Sequence, residues 1–480
     1  MKTTHYHGAT LGLALLALAA PALAEEEMAT PAAENPVYAP EVEGISDADE
    51  PPRGQAGASG FIEGQSLTLT TRNFAAREHT EDNFTFRIPK DGGAEPTHSR
   101  RTWVQGTILQ YSSGYTVGTV GFGLDVAGFN AINLERGKGR IAGGGNRTLA
   151  DSNGHGVEEW SKLGVANVRM RVSNTELKIG RFLVDTPVFG YIDNRALPSS
   201  ATGAAVFSDE LDGLSLQGGS FTRISPRTGA GDEHLTTEYG TRAVDADRFS
   251  YLGGTYKLLD NLEVTAYGGQ FEDVWNQYYL SFIHDLGDRE SLSLRTALNG
   301  YFTRDSGERK GGHIDNNTWS LALTLAHQAH ALTFGWQQVD GNEYFDYVHE
   351  TAAIYLANSL LSDYNGPNEK SAQIRYATDW SYFGVPGFST TLWYAKGWDI
   401  DGTHYDGDRN GAYGNYAEVR AMDGEKHHEY GLMGVYKVQS GPIKDSTFKV
   451  SYMSHRATHN QVDGSLDELR IVSTFPFNLL

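Results

Sequence analysis

The sequence contains no cysteine, and no part of it is apolar for long enough to cross a membrane as a helix. A chain without cysteine avoids disulfide chemistry altogether. A transmembrane helix needs about 18 or more predominantly apolar residues in a row, so an ordinary helical membrane protein is excluded. Basic residues are also scarce, because 39 lysines and arginines stand against 60 acidic residues and the net charge is −21. This charge argues against a nucleic-acid-binding protein.

The first 24 residues have the composition of a secretory signal. Lys2 supplies a positive start, residues 11–20 form an apolar core, and a small-residue cleavage site ends at Ala24. The core is too short to span a bilayer, so we interpret residues 1–24 as a cleavable signal peptide rather than an uncleaved anchor. Residues 25–59 are rich in acidic residues and proline and poor in bulky apolar residues. This composition predicts an acidic disordered segment.

From Phe61 onward, apolar and polar residues alternate in short segments separated by glycine-rich connectors. Val120, Phe122 and Val126 fall on one face of such a segment, and Asp125 falls on the other. A β-sandwich would alternate too, but the small, polar face suits a water-filled lumen, and the region is too long for a usual sandwich domain. The pattern predicts an all-β fold, a transmembrane antiparallel β-barrel formed by residues 60–480.

The same parity places a set of basic side chains on the polar face, which would point into the lumen. Two interpretations stay open. These side chains pair with lumen carboxylates such as Asp125, or together they form a row that attracts anions. The set comprises Arg72, Arg169, Arg171, Lys178, Arg295, Arg375, Lys449 and Arg470.

Several stretches of the sequence resemble, in the same order, the OprD family of outer-membrane porins. They include GFIEGQSLTL at 60–69, LKIGRFLVDTPVF at 177–189, NRALPSSATG at 194–203 and YLANSLLSDYNGPNEKS at 355–371. The resemblance covers residues 60–480. It implies an 18-stranded barrel in the bacterial outer membrane whose third and seventh extracellular loops fold inward to form a constriction. It also implies passive, substrate-selective uptake of small carboxylates.

The resemblance further implies which residues form the pore. Arg195 matches a pore-lining arginine of the third loop, and Ser359 and Asp363 match an electronegative and hydroxyl pocket in the seventh loop. Together they would form the constriction and bind the solute. A basic ladder is expected from Arg72, Arg375 and Lys449.

Three departures from the family pattern bear on the substrate. Trp393 stands at a position where the family has an arginine, and Ser451 replaces a second basic residue after Lys449, so the ladder is thinner. Ala352 stands where some members have an acid, so the pocket is less acidic, which favours aromatic carboxylates over basic amino acids. The expected partners are small carboxylate solutes, either aromatic carboxylates or amino acids, and outer-membrane lipid. No nucleic acid and no cofactor is expected, and the expected assembly is a monomer or a loose trimer.

Other motifs point to chemistry only weakly. The DGDRNG motif, with Asp406 and Asp408, resembles the start of a calcium loop, but Ala417 stands where the bidentate glutamate belongs. His427 and His428 are adjacent, so in a strand they point to opposite faces and predict no metal site. No nucleophile and base pattern is recognisable, so no catalytic residue is expected. A soluble or membrane-bound β-rich glycan-active or hydrolytic enzyme is the alternative.

Overall fold

The computed structural model describes residues 54–81, 85–90, 93–135, 157–239, 243–405 and 417–480. The expected signal peptide, the acidic segment up to residue 53, and Asp406 and Asp408 lie outside these ranges. In the described residues, 18 antiparallel strands form one sheet that closes on itself. No helix in these ranges is long and apolar enough to cross a membrane.

The described chain contains 22 strands, of which 18 form the barrel sheet and four form two short hairpins that are not part of this sheet, the second and third strands and the tenth and eleventh. Helical structure in the described ranges comprises α1 (Ala417–Ala421) and two 3-10 turns, Gln55–Gly57 and Trp380–Phe383. The strands are β1 (Ser66–Thr80), β2 (Phe86–Lys90), β3 (Gly93–Thr97), β4 (Ser99–Ser112), β5 (Val120–Asn133), β6 (Glu159–Val172), β7 (Thr175–Phe182), β8 (Ser200–Leu211), β9 (Leu214–Ser225), β10 (Leu235–Thr236), β11 (Asp245–Ala246), β12 (Phe249–Leu259), β13 (Leu262–Phe271), β14 (Trp275–Asp288), β15 (Leu292–Asp305), β16 (Asp315–His327), β17 (His330–Asp340), β18 (Lys370–Asp379), β19 (Phe388–Asp401), β20 (Asp423–Lys437), β21 (Thr447–Ala457) and β22 (Leu466–Asn478).

Strand β1 closes the barrel because it pairs along both of its edges. One edge pairs with β4 and the other with β22, the last strand of the chain. A closed sheet satisfies its backbone hydrogen bonds internally, which lipid requires. The predicted barrel is confirmed, and its first strand is β1. It begins at Ser66, because residues 61–64 form a turn that follows Gly60, whose φ is 124°.

The two faces of the sheet follow the parity of the sequence. Phe122, Phe334 and Ile471 are 54%, 49% and 46% exposed, which is how a lipid-facing side chain looks in an isolated barrel. Asp125 and Ser320 have the opposite parity and are buried in the interior. Period-2 alternation therefore identified correctly which side chains face lipid and which face the lumen.

The two ends of the barrel differ in the length of their connections. At one end the strands are joined by tight turns, including 173–174 and 212–213. At the other end most connections are long, although 272–274 is short, and two of the long ones, 183–199 (loop 3) and 341–369 (loop 7), fold back into the interior. Outer-membrane barrels have short periplasmic turns and longer extracellular loops. The end with long connections is therefore the extracellular end in such a barrel.

The last residues of the expected disordered segment are ordered. Gln55 is 3% exposed, and its side-chain amide donates to the carbonyl oxygens of Thr116 (2.8 Å) and Gly118 (3.1 Å). Its own side-chain oxygen accepts from the guanidinium of Arg171 (3.3 Å). The prediction of disorder is therefore wrong for residues 54–59. Gln55 holds them to the barrel through these three side-chain hydrogen bonds and through its backbone N–H, which donates to the carbonyl oxygen of Ser173 at 2.8 Å. The apolar content of a segment gives no sign of such polar contacts.

We expect deletion of residues 25–53 to leave the heat-dependent shift in gel mobility, which is typical of closed barrels, unchanged. Extending the deletion to residue 59 should lower the temperature of that shift. This deletion removes Gln55 and leaves its buried partners without these hydrogen bonds. The free energy of unfolding should fall by about 1–3 kcal/mol. Gln55→Ala in the full chain is the matched control and should reproduce the lower temperature. Identical transition temperatures in all three proteins would contradict a stabilising role for Gln55.

Candidate pore constriction

The first half of loop 3 packs against an aromatic part of the barrel wall. Phe189 stacks on Phe221 of β9 and Phe249 of β12, with ring centroids 5.1 and 4.9 Å apart. All three side chains are buried, as is Val188 beside them. Each such aromatic pair contributes about 0.5–1.5 kcal/mol beyond the area it buries. This packing turns the loop toward the interior of the barrel.

The second half of loop 3 is anchored by Arg72 on β1. The guanidinium donates to both carboxylate oxygens of Asp193, at 2.7 and 2.9 Å, and to the carbonyl oxygen of Arg195, at 2.7 Å. Gly106 on β4 lets the loop lie on the wall, because an added Cβ would be 2.4 Å from the carbonyl oxygen of Ala196. Arg72 is only 2% exposed. Arg72 is bonded to loop 3, and its expected place in a ladder that contacts solutes stays a prediction.

Loop 7 is held by buried polar contacts around Asp363. The hydroxyl of Ser359 donates to one carboxylate oxygen (2.8 Å), and the hydroxyls of Tyr239 and Tyr347 donate to the other (2.7 Å each). The structure thus brings Ser359 and Asp363 together, as the resemblance implied. Both side chains are buried, with exposures of 0% and 3%. Their direct contact with a solute stays a prediction.

The two inward loops are bonded to each other. Tyr191 of loop 3 forms an isolated β-bridge with Thr351 of loop 7. The hydroxyl of Ser199 donates to the carbonyl oxygen of Glu350 at 2.9 Å. A disturbance of one loop will therefore be transmitted to the other.

The loops and the wall enclose a cavity of ≈ 280 Å³ beside Ser362 and a second cavity of ≈ 190 Å³ beside Arg195. The second cavity lies where loop 3 and loop 7 meet, and we call it the constriction cavity. Strands β1, β4 and β22 supply its wall. Its ionisable residues are Glu78, Arg100, Arg195, Arg227, Glu238, Glu350, Glu468 and Arg470.

Most charges in the constriction cavity are paired, with Arg195 as the exception. Within the described residues, no carboxylate lies within ion-pair distance of its guanidinium. One of its nitrogens donates to the carbonyl oxygen of Asn194 at 3.2 Å, and a nitrogen of Arg470 approaches the same oxygen at 3.5 Å. Two guanidinium groups therefore converge on one neutral acceptor. The ion pairs are Arg100–Glu78, Arg227–Glu350 (3.7 Å), Arg470–Glu468 (2.6 Å) and His349–Glu238.

Burial and a neighbouring positive charge act together on Arg195. Burial lowers its pKa to about 10, and the charge of Arg470 acts in the same direction. The guanidinium remains charged at neutral pH because this pKa is still well above 7. The ring of Phe74 lies beside both groups, with its centroid 5.9 Å from Cζ of Arg195 and 5.5 Å from Cζ of Arg470.

His349 links loop 7 to the connection 226–248 through Glu238. Its Nδ1 contacts Glu238, and its Nε2 lies 3.8 Å from a carboxylate oxygen of Glu350. Burial alone would lower the pKa of His349. The hydrogen bond to Glu238 and the charges of both carboxylates outweigh burial and raise that pKa above its usual value.

Arg375 on β18 and Lys449 on β21 face the interior of the barrel, as their parity predicted. Their sequence neighbours Ile374 and Val450 are 52% and 48% exposed on the lipid face. Both basic side chains are half-buried. Their inward orientation is confirmed, and their contact with a passing solute stays a prediction.

Three other inward basic residues form ion pairs with carboxylates. For these residues the structure supports the interpretation that inward basic side chains pair with lumen carboxylates. These pairs account for much of the apparent positive row. They are Arg169–Asp125 (3.2 Å), Lys178–Glu176 (3.4 Å) and Arg295–Asp285 (3.4 Å).

The sequence analysis missed most of the constriction cavity. Arg100 and Glu78 face each other across the β1–β4 register, which cannot be read from either strand alone. Arg227 and Glu350 lie in connections, where no periodicity indicates which way a side chain points. Of the cavity's charges, parity identified only Arg470 as inward-facing, and the resemblance supplied Arg195.

Comparison with known proteins supports the assignment of this chain to a family of porins. Residues 59–479 match a family model described as outer membrane porin, OprD family. The chain is 38% identical over 437 residues to Porin D of Pseudomonas aeruginosa, which covers 89% of this chain and 94% of Porin D. Porin D and the family model both describe porins, and neither supports the alternative of an enzyme that the sequence left open.

Solved structures of the family are also similar to this chain. The crystal structure of Pseudomonas aeruginosa OccD3 (OpdP) matches it with a TM-score of 0.81 and 66% identity, covering 93% of this chain and 99% of that one. The crystal structure of Pseudomonas aeruginosa OpdK with vanillate matches with a TM-score of 0.74 and 28% identity, covering 87% and 100% of the respective chains. The chain described here belongs to the OprD family, and it is an 18-stranded, substrate-specific porin of the Gram-negative outer membrane.

Proposed function

We propose that this porin conducts small carboxylate-bearing solutes and that Arg195 provides the selective contact. The observation that carries the proposal is the guanidinium of Arg195, which lines the constriction cavity beside Arg470 and forms no ion pair with a described carboxylate. The bound vanillate named for the related OpdK structure is an aromatic carboxylate. We propose aromatic carboxylates, ahead of basic amino acids, as the preferred class.

The chemistry of Arg195 suits transient recognition of a carboxylate. A guanidinium presents planar N–H donors that match the two oxygens of a carboxylate, and it stays charged across the physiological pH range. Arg470 adds positive potential, but its pairing with Glu468 limits the strength of the site. Moderate binding favours flux, because a solute that is held too tightly would block the pore.

Arg375 and Lys449 would continue the path toward the short-turn end. Arg375 lies near the middle of β18, and Lys449 lies close to the short-turn end of β21. A carboxylate leaving the constriction would therefore meet further positive charge at successive depths. We propose a ladder of Arg195, Arg375 and Lys449, with Arg72 reassigned as the anchor of loop 3. We propose that Ser359 and Asp363 position loop 7 without contacting the solute.

Arg195→Ala should lower the uptake of an aromatic carboxylate relative to a neutral sugar of similar size. A charge about 4 Å from a carboxylate contributes on the order of 4 kcal/mol at an effective dielectric of about 20. Desolvation of both groups offsets most of that gain, so we expect the uptake ratio to fall several-fold. Liposome swelling with the two solutes measures it. An unchanged ratio, even with a higher total flux, would exclude Arg195 as the selective contact.

Arg72→Ala should have a different signature, because it removes the anchor of loop 3. The substitution removes the ion pair between Arg72 and the buried carboxylate of Asp193, which should lower the free energy of unfolding by about 3–5 kcal/mol. The loosened loop should raise the passage of carboxylate and neutral sugar alike and lower the temperature of the gel-mobility shift. A selective loss of carboxylate uptake with an unchanged transition temperature would show instead that Arg72 acts on the solute.

The selectivity should also depend on the protonation of His349. Its pKa is raised, so the charged form and its ion pair with Glu238 are present at low pH and are lost as the pH rises through that pKa, while a neutral imidazole still donates to Glu238. We expect the anion-to-cation permeability ratio in planar bilayers to fall over this interval. His349→Gln should remove the step, and His330→Gln at the short-turn end serves as the control. A step that persists in His349→Gln would assign it to another group.

A further inference from the structure

Two buried histidines on neighbouring strands face each other inside the barrel. His427 lies on β20 and His455 on β21, and they are 2% and 1% exposed. Nδ1 of His427 is 2.7 Å from Nε2 of His455. The adjacent His428 points outward, as parity predicted. The sequence analysis did not foresee that His427 meets a histidine from the next strand.

The outer nitrogen of each ring already has an acceptor. Nδ1 of His455 lies 2.6 Å from the carbonyl oxygen of Gly464, which can only accept, so this nitrogen carries a hydrogen. Nε2 of His427 lies 2.6 Å from a carboxylate oxygen of Glu369. The other oxygen of Glu369 accepts from the backbone N–H of Gly366 at 2.9 Å. In neutral rings, the two facing nitrogens would therefore both present lone pairs.

Two lone pairs 2.7 Å apart repel each other unless a positive species lies between them. That species is either a shared proton or a metal ion. A shared proton needs no third ligand, yet Asp463 turns a carboxylate oxygen toward the same place. One ring nitrogen of each histidine and this carboxylate oxygen all lie within 4.8 Å of one another. The hydroxyl of Ser362 donates to Asp463 and lies 3.3 Å from Nδ1 of His427.

We propose that His427, His455 and Asp463 bind a divalent transition-metal ion, with Zn²⁺ as the best-suited candidate. Two imidazoles and one carboxylate form a three-residue donor set that zinc accepts. Tetrahedral geometry with Zn–N of about 2.0 Å places the two nitrogens about 3.3 Å apart. Binding therefore requires the rings to separate by about 0.6 Å relative to the structure. The proposal goes beyond solute uptake and does not depend on which solute the porin conducts.

The surroundings of the site support ligation by His427. Glu369 is 1% exposed and fixes the tautomer in which Nδ1 is free to bind a metal, an arrangement that is usual around metal-bound histidines. Gly397 makes room for this contact. An added Cβ there would lie 2.0 Å from the carboxylate oxygen of Glu369 and 2.5 Å from Nε2 of His427.

The site lies beside a cavity that an ion can enter, and a bound ion would change the charge along the path of anions. The ≈ 280 Å³ cavity is lined by Ser362, His455 and Asp463, so water or a solute atom could take a fourth coordination position. That cavity shares Arg100 and other lining residues with the constriction cavity. A bound divalent ion would tie loop 7 and the connection 458–465 to the wall, and it would add positive potential beside the path of anions.

Zinc binding can be measured directly on the full chain without a polyhistidine tag. The protein is purified in detergent, stripped with EDTA, dialysed and titrated with Zn²⁺ by calorimetry. We expect one ion per chain. His455→Gln and Asp463→Asn should each weaken binding by at least about tenfold, and Glu369→Gln by about 10–100-fold through the orientation of His427. His428→Gln is the matched control and should bind zinc like the unsubstituted protein. Co²⁺ should give the visible absorption of a tetrahedral site, which His455→Gln abolishes.

Two outcomes would overturn the proposal. Absence of zinc binding by the unsubstituted chain would leave a shared proton between the imidazoles as the explanation of their contact. Zinc binding that is equally strong in His455→Gln and Asp463→Asn would show adventitious binding elsewhere. Heat-dependent gel mobility verifies that each variant is folded. If His455→Gln does not fold, Asp463→Asn decides the question, because Asp463 is partly exposed in the connection 458–465.

Discussion

The buried ion pair between Arg72 and Asp193 determines where this channel narrows. It joins a wall strand to loop 3 through two short hydrogen bonds, and the same guanidinium holds the carbonyl oxygen of Arg195. Breaking such a pair leaves an uncompensated charge in the interior. The aromatic packing of Phe189 gives loop 3 its inward course, and the ion pair fixes its far end. The side chain of Arg195 depends on both anchors for its place in the constriction cavity.

The charges of the constriction cavity are nearly balanced. Three arginines and a histidine each contact a glutamate, so repulsion between like charges is limited and the cavity does not bind anions tightly. Arg195 adds one positive charge to this balanced set. Among the described residues, one guanidinium without an ion pair beside paired ones would reconcile an acidic protein of net charge −21 with the proposed preference for anions. Local geometry, and not total charge, sets the potential along the path.

The lumen also brings together polar groups that are distant in the sequence. Loop 7 supplies Asp363, whose carboxylate is satisfied by three hydroxyl groups, and Ser362, which contacts the cluster of His427, His455 and Asp463. Such networks are costly unless every member has a partner. The contact between two histidine nitrogens at 2.7 Å needs one positive species to complete the network, either a shared proton or the proposed metal ion.

The sequence by itself determined the barrel and the direction of its side chains, because period-2 alternation is a local property that each strand carries separately. It identified the inward face that holds Arg375 and Lys449, and the family motifs supplied the 18 strands and Arg195. Only the tertiary structure decided which inward charges are neutralised. Whether Arg72 meets a solute or a loop carboxylate depends on how loop 3 folds, and whether His427 meets His455 depends on the register between β20 and β21. Neither alternation nor composition specifies a contact between separate strands and loops.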